Sequence, residues 1–222
     1  MSLENKKNLE EEKFLKNNKS EKKTKILAIG DIHGDKGLVK KLCEKAVNEK
    51  VDLVIIAGDL TFFESSYKDL IGPFLKNNKQ VLIIPGNHES DKFIEYLSKF
   101  YEIKNLHGNS FKINDTGFFG AGGADIGPYF LEDFEIFSLL KKGYSEIRNM
   151  KKKVMVTHMH HKGSKSEIIS GIEGNSLILK ALKEFKPDIL ISAHIHEASG
   201  VEEYLGDTKI INVSRKEKIF EI

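Results

Sequence analysis

Apolar residues in this chain come in short unbroken runs, separated by longer stretches in which they recur at helical spacing. The runs are Ile26–Ile29, Asp52–Ala57, Gln80–Ile84, Val154–Thr157 and Asp188–Ser192. Each has the length and branching of a strand buried on both faces, as in a parallel sheet covered by helices. After the first run, Leu38, Val39, Leu42, Cys43, Ala46 and Val47 mark one stripe of an amphipathic helix. Ser65 or Ser66 is placed to cap a helix reaching Leu75, with Gly72-Pro73 as a bend or early stop. Further helices are expected from about Asp91 to Phe100, over most of Phe130 to Met150, and from an Asn175 cap to a stop near Pro187. Strand and helix alternate, which predicts an α/β fold.

Between Tyr101 and Ala121 the pattern breaks into shorter runs punctuated by His107-Gly108-Asn109 and Asn114-Asp115-Thr116-Gly117. Closely spaced turn signals of this kind predict antiparallel hairpin strands. Val201–Leu205, Thr208–Val213 and Lys218–Ile222 read as closing strands. Gly120-Ala121-Gly122-Gly123 lacks the Gly-Lys-Ser/Thr ending of a phosphate loop and reads as a close-packed turn. Residues 1–23 are Lys, Glu and Asn with few apolar positions, a polar N-terminal tail. Residues 24–222 show no repeat and no Pro- or Ser-rich linker, and are expected to form one domain.

The polar residues that end the apolar runs carry the chemistry. They are Asp31 with His33, Asp59, Asn87 with His88, His158, and His194 with His196. Five separate segments thus place Asp, Asn or His at the carboxyl edge of a strand, where open α/β sheets bind ligands. In an extended chain residues two apart face the same side, so Asp31 and His33 are expected to aim at one point. Imidazole-rich sites with some carboxylate suit manganese, iron, zinc, cobalt or nickel better than calcium or magnesium. Asp31 and Asp59 bring two negative charges, so two divalent ions would leave a charge of about +2. That charge attracts a phosphate ester.

Composition narrows the alternatives. The formal net charge of +2 forces neither a nucleic-acid nor a membrane partner. The Lys151-Lys152-Lys153 run has no interleaved aromatic residues and reads as a solvated loop. No apolar stretch is long enough to span a bilayer, and the N-terminus lacks the apolar region of a signal peptide. The single Cys43 excludes an internal disulfide framework and fits a reducing cytoplasm.

The blocks Asp31-Ile32-His33, Gly58-Asp59, Gly86-Asn87-His88-Glu89, His158 and Ala193-His194-Ile195-His196 resemble the calcineurin-like metallophosphoesterase superfamily. The Gly206-Asp207-Thr208 run, the Asn212 strand and the short length resemble its small Icc-related branch. The resemblance implies a four-layer αββα sandwich with two mixed β-sheets and a dinuclear metal site at the strands' C-terminal edge. It also implies that Asp31, His33 and His196 hold one metal, that Asn87, His158 and His194 hold the other, and that Asp59 bridges them. His88 would stand beside the metals and stabilise or protonate the leaving oxygen. The implied activity is hydrolysis of a small phosphate ester, nucleotides among them and a diester first, by a hydroxide shared between two ions, manganese first among the metals.

Some positions depart from the family pattern. Ala193 stands where relatives usually carry Gly, which would shift His194 slightly. His160 and His161 are expected to line the mouth of the site rather than to ligate. Phe62, Phe63 and Glu64 stand where the Ser/Thr protein phosphatase branch carries Asp-Arg-Gly, which disfavours that branch, and the two rings would either wall the site or simply be packed. Two other readings stay open: a non-catalytic scaffold on the same fold, against which the intact residue set argues, and a nuclease, for which neither a capping domain nor a basic groove is evident.

Overall fold

A computed structural model describes residues 23–222. The tail expected over residues 1–23 lies outside the described residues, Lys23 excepted. The strands are β1 (Lys25–Ile29), β2 (Leu53–Ala57), β3 (Gln80–Ile84), β4 (Lys104–Asn105), β5 (Ser110–Ile113) and β6 (Thr116–Ala121). They continue as β7 (Lys152–Thr157), β8 (Ile189–Ser192), β9 (Glu202–Leu205), β10 (Thr208–Asn212) and β11 (Lys218–Glu221). The helices are α1 (Lys36–Asn48), α2 (Gly72–Lys76), α3 (Asp91–Phe100), α4 (Asp133–Ile147), α5 (Lys165–Ser170) and α6 (Ser176–Phe185).

The strands form two mixed sheets, β11-β1-β2-β3-β4 and β5-β6-β7-β8-β10-β9. In the first, β1 to β4 are parallel and β11 runs antiparallel along β1, with Leu27 opposite Ile219. In the second, β6, β7, β8 and β10 are parallel, flanked by the antiparallel β5 and β9. The pleat sorts each apolar run between two cores. Leu27, Ile29, Val54 and Ile56 face α1, α2 and α3, whereas Ile26, Ala28, Leu53 and Ile55 face the other sheet. From the second sheet, Val154, Val156 and Ile191 join that inter-sheet core, and Met155 and Leu190 pack under α4 and α6. Continuous apolar strands are therefore required, because both faces of both sheets are covered. Each fully buried Ile or Leu contributes about 1.5–3 kcal/mol. The result is the four-layer αββα sandwich with two mixed β-sheets.

The sheets converge at the carboxyl ends of their strands. Gly30, just past β1, donates its N–H to Val213 O (2.9 Å), and its own carbonyl accepts from Arg215 N (3.1 Å). A Cβ at Gly30 would lie 2.5 Å from the Ala193 methyl. The absent side chain thus serves close packing against the second sheet. Ala193 fits because position 30 gives it room.

Three local expectations are corrected. The helix expected from Ser65 or Ser66 starts only at Gly72, and Pro73 opens it instead of ending it. Proline suits a first turn, whose N–H has no intrahelical acceptor. Lys152 and Lys153 belong to β7 and not to a solvated loop; Lys151 pairs with Asp115 (2.8 Å) and Lys152 with Asp188 (2.9 Å). Helix α5, capped by Ser164, was not expected, since six residues carry too little periodicity to read. No helix among the described residues is long and apolar enough to cross a membrane.

Gly30→Ala is expected to destabilise the protein by about 1–3 kcal/mol through overpacking. Gly30→Ala combined with Ala193→Gly should recover most of that loss, read as urea-denaturation midpoints of the single and double variants. Equal loss in both would show that another contact at position 30 is responsible.

Candidate metal centre

Every residue singled out at the strand ends lies on the convergence edge, but the backbone brings them there in an unexpected way. Asp31, His33, Asp59 and His194 all have positive φ, at 56°, 48°, 49° and 70°. The chain leaves β1, β2 and β8 in left-handed kinks, so pleat alternation is not what brings Asp31 and His33 together. Such backbone is uncommon outside glycine and costs about 1–3 kcal/mol per residue. Gly58 (φ 89°) and Gly86 leave the space these kinks need. A Cβ on Gly58 would lie 2.5 Å from His158 Nδ1, and one on Gly86 would lie 1.9 Å from Asp59 Oδ1.

The donor atoms fall into two clusters. In the first, Asp31 Oδ1 lies 3.2 Å from His196 Nε2 and 3.8 Å from His33 Nε2. In the second, His158 Nε2 lies 3.1 Å from Asn87 Oδ1 and 3.5 Å from Asp59 Oδ2. Asp59 Oδ2 is also 3.7 Å from His33 Nε2, so this one oxygen stands between the clusters. Three groups have donor atoms within 4.8 Å of one another and could hold an ion: Asp31 with His33 and His196, Asp31 with Asp59 and His158, and His33 with Asp59 and His88. His194 is in none of these groups. Its ring sits beside His158, centroids 5.0 Å apart, and its backbone N–H donates to Asp31 Oδ2 (3.0 Å).

Several features fit cations here. Asp31 and Asp59 are buried, at 0 % and 2 % exposure, and no Lys or Arg side chain among the described residues bonds either carboxylate. Burying carboxylates without compensating charge is costly. The His33 ring makes no hydrogen bond; its Nδ1 is buried and unpartnered, and its Nε2 faces both carboxylates beyond hydrogen-bond reach. His158 Nδ1–H donates to the Ala57 carbonyl (2.9 Å), which directs Nε2 toward Asp59 and Asn87. A ring fixed through its other nitrogen is the usual state of a metal-binding histidine.

Protonation in the metal-free protein follows from the same contacts. Burial opposes charge on His158, but the Asp59 carboxylate outweighs it and raises the imidazole to about 9. Burial, reinforced by His158, pushes His194 down to about 3, and burial also lowers His33. Burial would raise the Asp31 and Asp59 carboxyls, but the surrounding histidines hold both below the usual range.

A second set of residues, to which the sequence reading gave no role, supports the first. Glu89 accepts from Asp59 N (3.1 Å), Gly86 N (3.1 Å), Thr61 N (2.7 Å) and Thr61 Oγ1 (2.8 Å), tying together the loops after β2 and β3. Burial and then the Asp59 charge raise its carboxyl to about 7. Ser214 Oγ donates to Asp31 Oδ2 (2.8 Å), and Arg215 donates to the carbonyls of Asp31 (3.1 Å) and Ile32 (3.2 Å). Asn212 joins the Ile195 carbonyl (3.2 Å) to Ser214 N (2.8 Å) and so fixes the His194–His196 loop. The Asn212-Val213-Ser214-Arg215 run after a predicted strand was the available signal for these last residues.

Two side expectations resolve differently. His160 and His161 are buried, bonded to the carbonyls of Ile172 (3.1 Å) and Lys162 (2.8 Å), and do not line the mouth. Phe62 and Phe63 are half exposed and pack on the His88 ring, centroids 5.0 and 4.3 Å away, so they wall the site.

The calcineurin-like phosphoesterase profile matches residues 24–198, from β1 through the His194–His196 loop. The chain belongs to that family. No curated protein sequence matches it. Among solved structures, the calcineurin-like fold recurs in a Thermus thermophilus protein, at TM-score 0.70 and 16% identity over 89% of this chain and 98% of that one. It recurs in an archaeal phosphodiesterase, at TM-score 0.52 and 21% identity over 90% and 99%. A dimetal phosphatase from Danio rerio shares it at TM-score 0.59 and 10% identity over 85% and 86%. Family membership makes the chain a metallophosphoesterase, a hydrolase of phosphate esters.

Binding a divalent ion needs His158 Nε2 free of its proton. Manganese uptake at pH 7 is therefore expected to release a proton, read by calorimetry in buffers of different ionisation enthalpy. The raised His158 value stabilises the metal-free fold fully below pH about 6.5, and this contribution is lost as pH climbs through about 9. The stabilisation conferred by metal should accordingly grow from pH 6.5 to 8.5. A metal-induced shift in Tm that stays flat over that range would contradict the assignment.

Proposed function

We propose that this protein hydrolyses phosphodiesters at a dinuclear centre in which Asp31, His33 and His196 hold one divalent ion and Asn87, His158 and His194 hold the other. Asp59 bridges them. The observation that carries this reading is the place of Asp59 Oδ2, 3.5 Å from His158 Nε2 and 3.7 Å from His33 Nε2, within reach of donors from both clusters. The donor set, four imidazoles, two carboxylates and one amide, favours manganese, with iron, nickel, cobalt or zinc as close alternatives. When bound, the metals supply Lewis acidity toward phosphoryl oxygens and an activated water for in-line attack.

The chain's own residues do the rest. Glu89 and Ser214 hold the Asp59 loop and the Asp31 carboxylate before substrate arrives, so no reorganisation is needed at the moment of reaction. Asn87 contributes a neutral oxygen where a third carboxylate would cancel the attraction for an anionic ester. His88 is held on the rim, its N–H donating to Asp59 Oδ1 (3.0 Å) and its Nε2 3.8 Å from Asp59 Oδ2. From there its ring reaches the leaving oxygen and gives a hydrogen bond or a proton to the charge that develops on it. A scaffold without catalysis would have no use for that histidine beside a complete ligand set.

His88→Ala and His88→Asn are expected to retain both metals by elemental analysis. They should lose about a hundredfold or more in kcat on a diester with an alkyl leaving group, and less on a nitrophenyl ester, whose leaving oxygen needs no proton. Equal activity to wild type on the alkyl diester would remove His88 from the reaction. Chelation should abolish turnover and added manganese should restore it.

A further inference from the structure

The Phe62–Phe63 pair is the part of the rim that the ligand set does not explain. The two rings are 53 % and 47 % exposed, lie 4.5 Å apart edge to face, and both pack on the His88 imidazole. The loop that presents them is fixed. Phe63 and Glu64 have positive φ, at 52° and 59°. Glu64 N donates to Thr61 Oγ1 (3.1 Å), Glu64 Oε1 accepts from Ser90 N (2.8 Å), and Ser65 N donates to Phe62 O (3.2 Å). Thr61 is in turn held by the buried Glu89. Left-handed backbone at a bulky residue costs about 1–3 kcal/mol, and here it holds two apolar rings in water. The exposed half of each ring gains nothing on folding, whereas it does when a ligand covers it.

The reading of His88 given above, on which this inference rests, says what covers them. A leaving oxygen bonded to His88 carries its substituent outward past the imidazole, and the surface flanking the imidazole is Phe62 and Phe63. We propose that these two residues form a leaving-group subsite that binds a flat aromatic ring on the alcohol or phenol side of the scissile ester. The ring is either bonded directly to the leaving oxygen, as in an aryl ester, or carried on a sugar, as in a nucleoside. The reaction is hydrolysis: the phosphorus–oxygen bond to this group breaks with its electron pair on the leaving oxygen. A water oxygen bonds to phosphorus, and one proton from that water ends on the leaving group. Phe62 and Phe63 take no part in these bond changes; they set which ester is held for it.

The test compares manganese-loaded wild type with Phe62→Ala, Phe63→Ala and the Phe62→Leu/Phe63→Leu double variant, which keeps apolar cover on His88 but has no flat face. Three methyl phosphodiesters serve as substrates, with leaving phenol, adenosine (through its 5′ oxygen) or trifluoroethanol. The readout is the ratio of kcat/KM for a ring-bearing ester to that for the trifluoroethyl ester; a disturbance of His88 alone would raise the phenyl ratio and lower the adenosine ratio, because phenol needs a proton less than trifluoroethanol does and adenosine needs it more. For each variant this ratio is expected to fall about tenfold, the scale of a lost aromatic contact. A fall with the phenyl ester alone places the ring directly on the leaving oxygen; a fall with the adenosine ester alone places it beyond a sugar. Unchanged ratios for both esters overturn the subsite and leave the hydrolase reading standing. Failure of wild type to hydrolyse any of the three overturns the phosphodiester reading, and the subsite with it.

Discussion

Two carboxylates, Asp31 and Asp59, are buried at the meeting edge of two sheets with no lysine or arginine side chain bonded to either among the described residues. That unmet charge is the constraint on which the rest of the centre turns. A buried carboxylate survives if it is neutralised or richly hydrogen-bonded. Here the neighbours are imidazoles, Ser214 Oγ and backbone N–H groups. In the metal-free protein His158 resolves the conflict by keeping its proton, and its imidazolium takes the place next to Asp59 that a cation would otherwise fill. A divalent ion placed on His158 Nε2 would therefore compete with a proton for the same lone pair.

The convergence of the sheets explains why segments so far apart in sequence reach one point. Parallel strands end with their carboxyl termini on one side, and loops there are free to vary without disturbing the layers. Bringing two such edges together requires the backbones to approach closely. Gly30 against Ala193 and Gly58 against His158 are places where a side chain would keep them apart, and Gly86 against Asp59 brings two loops of the first sheet equally close. The hydrogen bond from His158 in the second sheet to the Ala57 carbonyl in the first crosses the same gap. Catalytic geometry and inter-sheet packing are thus set by the same few contacts.

The strands and the chemistry at their ends were legible because a strand buried on both faces must be apolar throughout, so the first polar residue after it stands out. Asp59, His158 and Asn87 announced themselves in this way. The left-handed kinks at Asp31, His33, Asp59 and His194 were not legible, since no side-chain pattern distinguishes a kinked residue from an extended one. Glu89 was visible as part of a motif, but its role depends on two backbone groups of the loop after β2, Asp59 N and Thr61 N, which sequence order does not reveal. His160 and His161 looked like surface histidines because polar residues after a strand normally face water; burial under the loop around Ile172 put them inside. The late start of α2 has a similar cause. Ser65 and Ser66 have the chemistry of a helix cap, but the bridge between Phe62 and Ser65 commits that stretch to a tight loop instead.

That loop bears on how the rim is built. Four of the positive-φ residues carry candidate ligands, and Phe63 and Glu64 follow Asp59 in the same loop. Strained conformations persist only when their surroundings over-determine them. Glu89 supplies that determination for both regions at once, because one of its oxygens fixes Asp59 and Gly86 and the other fixes Thr61, at the root of the Phe62–Phe63 loop. A single buried carboxylate therefore links the position of Asp59 to the position of the two exposed rings. The charged centre and its apolar rim thus share one hydrogen-bonded anchor.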